Sequence, residues 1–195
     1  MEFIFASRNR HKLEELQKLL PASISLLALP TENIPDELPE TGNSFEENAM
    51  QKAKLVFSVT NQNCFAEDSG LEVESLHNEP GIYSARFAGE GKSSPDNIRL
   101  LLSKLNAAEN RKARFKTVIA LKTNQEEMLF EGTCEGTITT EMKGESGFGY
   151  DPVFIPDGSE KTFAEMTIEE KSQFSHRAKA FSKLVRWLLE KKYID

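Results

Sequence analysis

The first twenty or so residues limit the fold more than any other part of this chain. Glu2 to Ser7 forms a short apolar run, and leucines then recur with helical spacing from Leu13 to Leu20 until Pro21 interrupts them. The short run predicts a buried strand, and the spacing of the leucines predicts an amphipathic helix. A strand that leads directly into a helix is a building unit of α/β proteins, so we expect a sheet flanked by helices.

The rest of the chain continues this alternation. Ser44 and Glu47 match a capping box at the start of a second helix. The sequence predicts an α/β fold with a mixed sheet, as a single domain over residues 1–195. The further predicted strands are Ser23–Leu29, two pieces at Cys64–Glu67 and Leu71–Ser75 that flank an Asp-Ser-Gly turn, and an antiparallel pair, Ala113–Lys122 and Glu127–Thr140. The further predicted helices are Ser44–Val59, one that begins at Ser94-Pro95, and His176–Lys191.

Composition excludes several classes of function. A net charge of −7 argues against a general nucleic-acid binder, which usually presents a basic face. No apolar run is long enough to cross a membrane, and the amino terminus lacks the features of a signal peptide. Cys64 and Cys134 lack the paired spacing of a disulfide framework or a zinc site. We therefore expect a cytoplasmic protein with two buried free thiols.

Two predicted helices begin with cations, where helices normally collect acids. Asn9, a suitable cap, is followed by Arg10–Lys12, and Ser175 is followed by His176 and Arg177. Each cation at the positive end of a helix dipole costs about 0.3–1 kcal/mol at an exposed site. These cations are either simply solvated or completed by a bound anion such as phosphate. Two such starts in one chain favour the anion.

Three carboxylates form a second candidate feature. Glu67 and Asp68 end a predicted strand before Ser69, and Glu40 lies in a Pro-Glu-Thr-Gly turn. Carboxylates without histidine or cysteine partners suit a hard ion such as Mg²⁺, which also binds phosphate oxygens. An acidic pair in a loop is otherwise simply solvated, so spacing alone leaves both interpretations open.

A glycine-rich segment, Gly147–Pro152, is the third feature. Its two glycines allow close approach of the backbone, and Phe148 offers a ring on which a nucleotide base can stack. A tight turn with Phe148 in the core explains the same residues equally well.

Together these motifs resemble the inosine triphosphate pyrophosphatase family, in the family's order and over nearly the whole chain. The resemblance implies an elongated α/β fold with a mixed central sheet flanked by helices, two lobes around a nucleotide-binding cleft, and a homodimer. It implies hydrolysis of noncanonical purine nucleotides (ITP, dITP and XTP) to the monophosphate and pyrophosphate, with Mg²⁺ as cofactor. The matching segments are Ser7–Lys12, Glu40–Gly42, Asn48–Ala49, Lys52–Ala53, Glu67–Leu71, Pro80–Arg86, Gly147–Pro152, Lys171–Ser172 and Ser175–Arg177.

The resemblance also implies roles for individual residues. Asp68 would be the general base, and Glu40, Glu67 and Asp68 would place Mg²⁺. Some bacterial relatives carry two aspartates at Glu67-Asp68, and the longer glutamate changes the reach of that side chain but not its charge. The residues implied for the triphosphate are Ser7, Arg8, Asn9, Arg10, His11, Lys12 and Lys52, with Ser69 as a further substrate contact; those implied for the base are Phe148, Gly149, Tyr150, Asp151, Lys171, His176 and Arg177.

Selectivity follows from the donors implied for the base. Lys171, His176 and Arg177 can donate to a keto oxygen at position six of a purine, whereas the amino group of adenine would leave them unpaired. One alternative function is a pyrophosphatase for modified pyrimidine triphosphates, against which the purine-binding segments argue. Another is a non-catalytic nucleotide sensor, which would have little need for Asp68 beside two further acids.

Overall fold

A six-stranded sheet, in the order β2-β1-β3-β4-β5-β6, organises the chain. The computed structural model describes residues 1–91 and 93–193. The strands are β1 (Glu2–Phe5), β2 (Ser25–Leu27), β3 (Cys64–Val73), β4 (Lys112–Lys122), β5 (Glu127–Ile138) and β6 (Phe154–Pro156). The α-helices of the described residues are α1 (Arg10–Leu19), α2 (Phe45–Thr60), α3 (Ser94–Lys104), α4 (Ile168–Phe174) and α5 (His176–Glu190).

The sheet is mixed. Strand β1 pairs in parallel with both β2 and β3, and β5 pairs antiparallel with β6. Strands β4 and β5 are neighbours joined by residues 123–126, where the N–H of Thr123 donates to the carbonyl of Glu126 at 3.0 Å. Such a short connection between neighbouring strands makes an antiparallel hairpin. The predicted α/β fold with a mixed sheet and an antiparallel strand pair is therefore confirmed.

Strand β3 corrects one prediction. Cys64–Val73 is a single continuous strand, so the expected turn at Asp68, Ser69 and Gly70 is wrong. The strand lies between β1 and β4, and eight of its ten residues are buried. A central strand covered on both faces gains hydrogen bonds and packing along its whole length, and these outweigh the turn preference of Ser-Gly.

The helix starts confirm most of the predicted caps. The side chain of Asn9 accepts the N–H of Lys12, and the side chain of Ser44 accepts the N–H of Glu47. The carboxylate of Glu47 accepts the N–H of Asn43 rather than that of Ser44, so only half of the predicted capping box forms. Helix α3 begins at Ser94, as predicted, and its cap is Ser93, whose hydroxyl accepts the N–H of the third residue of that helix. Helix α4 was not predicted.

The chain divides into two compact units. The first comprises Met1–Asp68, Thr117–Gly132 and the chain from Arg177 onward, and the second comprises Ser69–Lys116 and Thr133–His176. Strands β3, β4 and β5 therefore contribute residues to both units. The single domain expected for residues 1–195 stays a prediction, and residues 194 and 195 lie outside the described residues.

The first unit has an aromatic core to which α5 contributes one face. The ring of Phe65 lies 5.2 Å from that of Phe5 and 6.1 Å from that of Phe181. Leu184 and Leu188 of α5 are buried in the same core. Leu189, the next residue of the helix, is 45% exposed.

The second unit has a separate aromatic core. The ring of Phe154 lies 4.7 Å from that of Phe115 and 5.2 Å from that of Phe163. Cys134 is buried here and Cys64 is buried in the first unit, both as free thiols, which confirms that prediction. Burial raises the pKa of the Cys64 thiol to about 12. No helix of the described residues is long and apolar enough to cross a membrane.

Candidate active site

The loop after β1 and the start of α1 present cations at a positive helix end. The hydroxyl of Ser7 accepts the N–H of Asn9 at 3.2 Å, and Asn9 in turn caps the helix at Lys12. The first turn of α1 contains no acid. The side chains that follow this cap are basic, and Arg8, Arg10 and His11 are exposed. This arrangement keeps several donors and positive charges on the surface, as an anion site requires.

Lys12 differs from these exposed cations because it already has a carboxylate partner. Its ammonium lies 3.0 Å from Oε1 of Glu67, which is fully buried on β3. Strand β1 ends at Phe5, which is paired with Phe65 of β3, so Glu67 lies just beyond the end of β1. The register of the two parallel strands therefore brings a buried acid to the start of α1.

Arg177 completes this cluster from the start of α5. Its Nε lies 2.9 Å from Oε2 of Glu67, its Nη2 lies 2.9 Å from Oε1 of the same carboxylate, and its Nη1 donates to Glu15. Arg177 is 2% exposed. A bidentate pair of this kind fixes both side chains in one geometry. The contact of Arg177 with a purine base stays a prediction, and in the unliganded chain its guanidinium binds two carboxylates.

The charges of this cluster stabilise one another. Burial by itself would raise the pKa of Glu67, but the charges and hydrogen bonds of Arg177 and Lys12 hold that pKa well below its usual range. Burial would likewise lower the pKa of Arg177, yet Glu67 and Glu15 raise it. Glu67 is therefore ionised, and its negative charge is matched inside the protein.

A second cluster surrounds Asp68, the next residue of β3. The ammonium of Lys52 lies 2.5 Å from Oε1 of Glu40 and 3.6 Å from Oδ1 of Asp68. The side-chain amide of Asn48 donates to the other oxygen, Oδ2, at 3.1 Å. Because successive residues of a strand point to opposite faces, Glu67 and Asp68 enter different surroundings although they are adjacent.

These surroundings raise the pKa of Asp68, whereas those of Glu67 lower the pKa of that residue. Burial raises the pKa of Asp68, and the negative charge of Glu40 adds to that effect. Lys52, Lys12 and the hydrogen bond from Asn48 oppose it without cancelling it. A carboxylate with a raised pKa is a stronger proton acceptor than an ordinary aspartate.

The second unit contains the predicted base-binding segment. The carboxylate of Asp151 accepts the N–H of Phe148 at 2.9 Å and the ammonium of Lys171 at 2.7 Å. That ammonium also lies 5.1 Å from the centre of the Phe148 ring. Gly147 has a φ of +78°, and a Cβ there would lie 2.2 Å from Oδ2 of Asp151. The glycine is therefore required for Asp151 to close this turn.

Two other residues implied for the base are buried in the second unit. The hydroxyl of Tyr150 donates to the carbonyl of Ser84 at 2.9 Å, and burial raises the pKa of this tyrosine. The ring of His176 stacks on that of Phe115, with centroids 4.8 Å apart and planes 10° from parallel. The boundary between the two units falls between His176 and Arg177. The structure thus places these consecutive residues in different clusters.

Sequence reasoning gave no role to two residues of these clusters, although one of them, Asn48, lies in a segment that matches the family. Nothing in the sequence distinguishes Glu15 from the neighbouring Glu14. Asn48 does carry one, since it precedes Lys52 by four residues and so lies on the same face of α2. Within residues 1–91 and 93–193, no three histidine, cysteine, aspartate or glutamate side chains are grouped so that they could hold a metal ion by themselves.

Comparison with known proteins tests the expected family. The sequence profile of the Ham1 family matches residues 3–187. The chain belongs to the Ham1 family. A relative from Christiangramia forsetii, named dITP/XTP pyrophosphatase, is 48% identical over 188 residues, which cover 96% of this chain and 99% of the relative. A dITP/XTP pyrophosphatase from Bacillus subtilis is 43% identical over 191 residues, 96% of each protein.

Solved structures of the Ham1 family share the fold. The Ham1 protein of Staphylococcus aureus matches with a TM-score of 0.88 and 41% identity, over 98% of this chain and 100% of that one. The Ham1 protein of Coxiella burnetii matches with a TM-score of 0.88 and 37% identity, over 97% of this chain and 99% of that one. The family and the fold expected from the motifs are therefore confirmed.

Proposed function

We propose that this Ham1-family protein hydrolyses noncanonical purine nucleoside triphosphates, namely ITP, dITP and XTP, to the monophosphate and pyrophosphate. The observation that carries the proposal is the buried carboxylate of Asp68, bound by Lys52 in the same unit as the cationic start of α1. The relatives named dITP/XTP pyrophosphatase support it. The same relatives give no support to a pyrimidine-specific enzyme or to a nucleotide sensor.

Asp68 is the proposed general base. Water attacks the α phosphorus, Asp68 accepts a proton from that water, and the bond between the α phosphorus and the bridging oxygen breaks to release pyrophosphate. The raised pKa of Asp68 increases its affinity for this proton. A positioned base typically contributes about 10²–10⁴-fold to the rate.

Cations of the first unit are proposed to hold the phosphates. The start of α1, from Ser7 to Lys12, supplies backbone donors and positive side chains, and Lys52 is a further proposed contact. Ser69, which belongs to the second unit, is a proposed substrate contact as well. Negative charge on the departing pyrophosphate is stabilised where such groups are already in place. Lys12 also neutralises Glu67, so its ammonium has a fixed starting position before substrate binds.

Mg²⁺ is the proposed cofactor, and the carboxylates of the Asp68 cluster fit it. Glu40 and Asp68 offer oxygen ligands on either side of Lys52, and Mg²⁺ usually uses one or two carboxylates together with phosphate oxygens and water. Glu67 already accepts hydrogen bonds from Arg177 at both oxygens, so its proposed part is to contribute charge. When bound, Mg²⁺ neutralises phosphate charge and activates water.

The second unit carries the proposed base recognition. Phe148 and Gly149 are partly exposed, and Lys171 is held over the Phe148 ring by Asp151. A purine stacked near this ring would meet a donor suited to a keto oxygen, which is how we propose that adenine is rejected. His176 and Tyr150 of the second unit remain proposed members of this set, and so does Arg177 of the first unit.

A cytoplasmic homodimer is the proposed form of the enzyme. The two buried free thiols are typical of proteins that work in a reducing compartment. The dimer is implied by the family resemblance alone, and light scattering coupled to size-exclusion chromatography measures it directly.

A substrate panel tests the proposed function. Pyrophosphate release is measured with ITP, dITP, XTP, ATP, GTP and a modified pyrimidine triphosphate, each with Mg²⁺ and with a chelator. We expect turnover of the first three with Mg²⁺ and little with the others. Preference for the pyrimidine, or binding without pyrophosphate release from any of the six, contradicts the proposal.

The variant Asp68→Asn tests the general base. It keeps the shape of the side chain but removes the proton acceptor, so kcat should fall by roughly 10²-fold or more while nucleotide binding survives. Asp157→Asn, a substitution of an exposed aspartate, is the matched control. Near-normal turnover by Asp68→Asn would show that another group accepts the proton.

A further inference from the structure

The loop that carries Glu40 is hydrogen-bonded to side chains of α2. The backbone N–H groups of residues 41–43 donate, in order, to Gln51 at 3.0 Å, to Asn48 at 2.8 Å and to Glu47 at 2.7 Å. Three consecutive backbone donors are thus satisfied by one helix. These three hydrogen bonds, from residues 41–43 to Gln51, Asn48 and Glu47, form what we call the strap, which fixes the chain immediately after Glu40.

Asn48 differs from the other two side chains of the strap. It is 0% exposed, and its amide also reaches Asp68, with Nδ2 3.1 Å from Oδ2. The N–H of Gly42 requires an acceptor, so the amide oxygen must face Gly42 and the amide nitrogen must face Asp68. A Cβ at Gly42 would lie 3.0 Å from this amide oxygen and 2.5 Å from Cβ of Glu47. The glycine therefore gives the amide room to adopt this orientation.

The two oxygens of Asp68 are held from the same face of α2. Asn48 and Lys52 are four residues apart, so their side chains are neighbours on the helix surface. Asn48 donates to Oδ2, and Lys52 lies beside Oδ1 and also binds Glu40. Rotation of a carboxylate about its last torsion meets only a broad, shallow preference, so contacts of this kind determine its orientation.

We propose that Asn48 is a positioning residue for hydrolysis, one that fixes the orientation of the Asp68 carboxylate and ties it to the Glu40 loop. This inference rests on the proposed function. Asn48 acts through Asp68 and takes no proton itself. Displacement of a reacting group by about 1 Å can cost 10²-fold in rate, so the loss of one fixing contact is measurable.

The first test separates the two hydrogen bonds of Asn48. Asn48→Asp keeps an acceptor for the N–H of Gly42 but has no donor for Asp68, whereas Gln51→Ala weakens the strap without touching Asp68. For Asn48→Asp with ITP we expect kcat to fall by roughly 10²-fold and KM to change by less than about threefold. For Gln51→Ala we expect both constants within about threefold of the wild type. Equal losses in the two variants, or a loss confined to KM, would overturn the inference.

A double-mutant cycle gives a second test, which avoids the second carboxylate that Asn48→Asp places beside Asp68. Asn48→Ala is measured alone and in the Asp68→Asn background, with circular dichroism to confirm that each variant is folded. If Asn48 acts through Asp68, Asn48→Ala should slow the wild type by at least about tenfold and the Asp68→Asn enzyme by less than about threefold. The same factor in both backgrounds would overturn the inference.

The cycle also separates this inference from the proposed function. A wild-type protein that releases no pyrophosphate overturns both. Full activity of Asp68→Asn overturns the assignment of the base and the role of Asn48 with it. An impaired Asp68→Asn enzyme with additive effects of Asn48→Ala overturns the role of Asn48 alone.

Discussion

The guanidinium of Arg177 and the carboxylate of Glu67 form a bidentate pair inside the first unit, with Nε to Oε2 and Nη2 to Oε1 both at 2.9 Å. Sequence motifs had implied separate tasks for the two residues, base recognition for Arg177 and metal placement for Glu67. The pair joins the start of α5 to β3, and Glu15 extends it to α1, while the two implied tasks stay predictions. Each charge is therefore needed to compensate another buried charge.

Arg177→Ala should destabilise the unliganded enzyme strongly. Removal of one member of a buried ion pair typically costs about 3–5 kcal/mol, because the remaining charge is left in a low-dielectric site. The free energy of unfolding is measured by urea denaturation, with Arg186→Ala, on the exposed face of the same helix, as the control. A loss no larger than that of the control would show that Glu67 does not depend on Arg177.

The same variant tests selectivity. Because Arg177 is the partner of Glu67 and Glu15 as well as a proposed contact of the base, we expect kcat/KM to fall for both ITP and ATP, and to fall further for ITP, which has the keto oxygen. The measurement compares both nucleotides in wild type and variant. Equal falls for the two nucleotides would show that the guanidinium supports Glu67 and does not contact the base.

Glu67 should make stability depend on pH in the acid range. Its pKa is lowered in the folded chain, so its stabilising contribution is complete above the unfolded value of about 4.3 and is lost as the pH falls below it. Protonation of one such group changes the free energy of unfolding by at most about 1.4 kcal/mol per pH unit. Urea denaturation at pH 5, 4 and 3 should therefore show a steeper loss for the wild type than for Glu67→Gln.

The control for this pH effect is Glu14→Gln, which alters an exposed glutamate of α1. It should keep the steep pH dependence of the wild type. If Glu67→Gln keeps the same slope as well, the acid sensitivity belongs to other carboxylates.

Lys12→Ala should weaken triphosphate binding selectively. The ammonium of Lys12 lies at the cationic start of α1, so we expect KM for ITP to rise by roughly tenfold, about 1.4 kcal/mol, with little change in the binding of inosine. Lys18→Ala, in the last turn of the same helix, is the matched control. Equal weakening for inosine and ITP would place Lys12 away from the phosphates.

Gly147 and Gly149 offer a matched pair in the base-binding segment. Both have positive φ, +78° and +62°, so alanine at either position costs about 1–2 kcal/mol in backbone strain. A Cβ at Gly147 would also meet Asp151, whereas no atom lies within 4 Å of a Cβ at Gly149. Gly147→Ala should therefore lower Tm and kcat/KM for ITP more than Gly149→Ala. Equal losses of Tm and kcat/KM in the two variants would mean that the backbone of the turn can shift to accommodate a Cβ without disturbing Asp151.

The sequence by itself determined the features that depend on local interactions. The strand and helix of the first twenty residues, the caps at Asn9 and Ser44, and the two helix starts without acids are all present. Each depends on residues within about four positions of one another, where periodicity and capping rules apply. The family motifs added the order of the segments and the candidate site residues, because the motifs are themselves local.

Only the tertiary structure decided which of these residues meet. Arg177 and Glu67 are 110 positions apart, and their contact requires β3 to continue past the end of β1 beside the start of α5. Glu14 and Glu15 are identical in sequence terms, yet only Glu15 is buried and reaches Arg177. The charge of Lys12, a cost in an isolated helix, is likewise offset by Glu67 because packing excludes water and places the buried acid beside it.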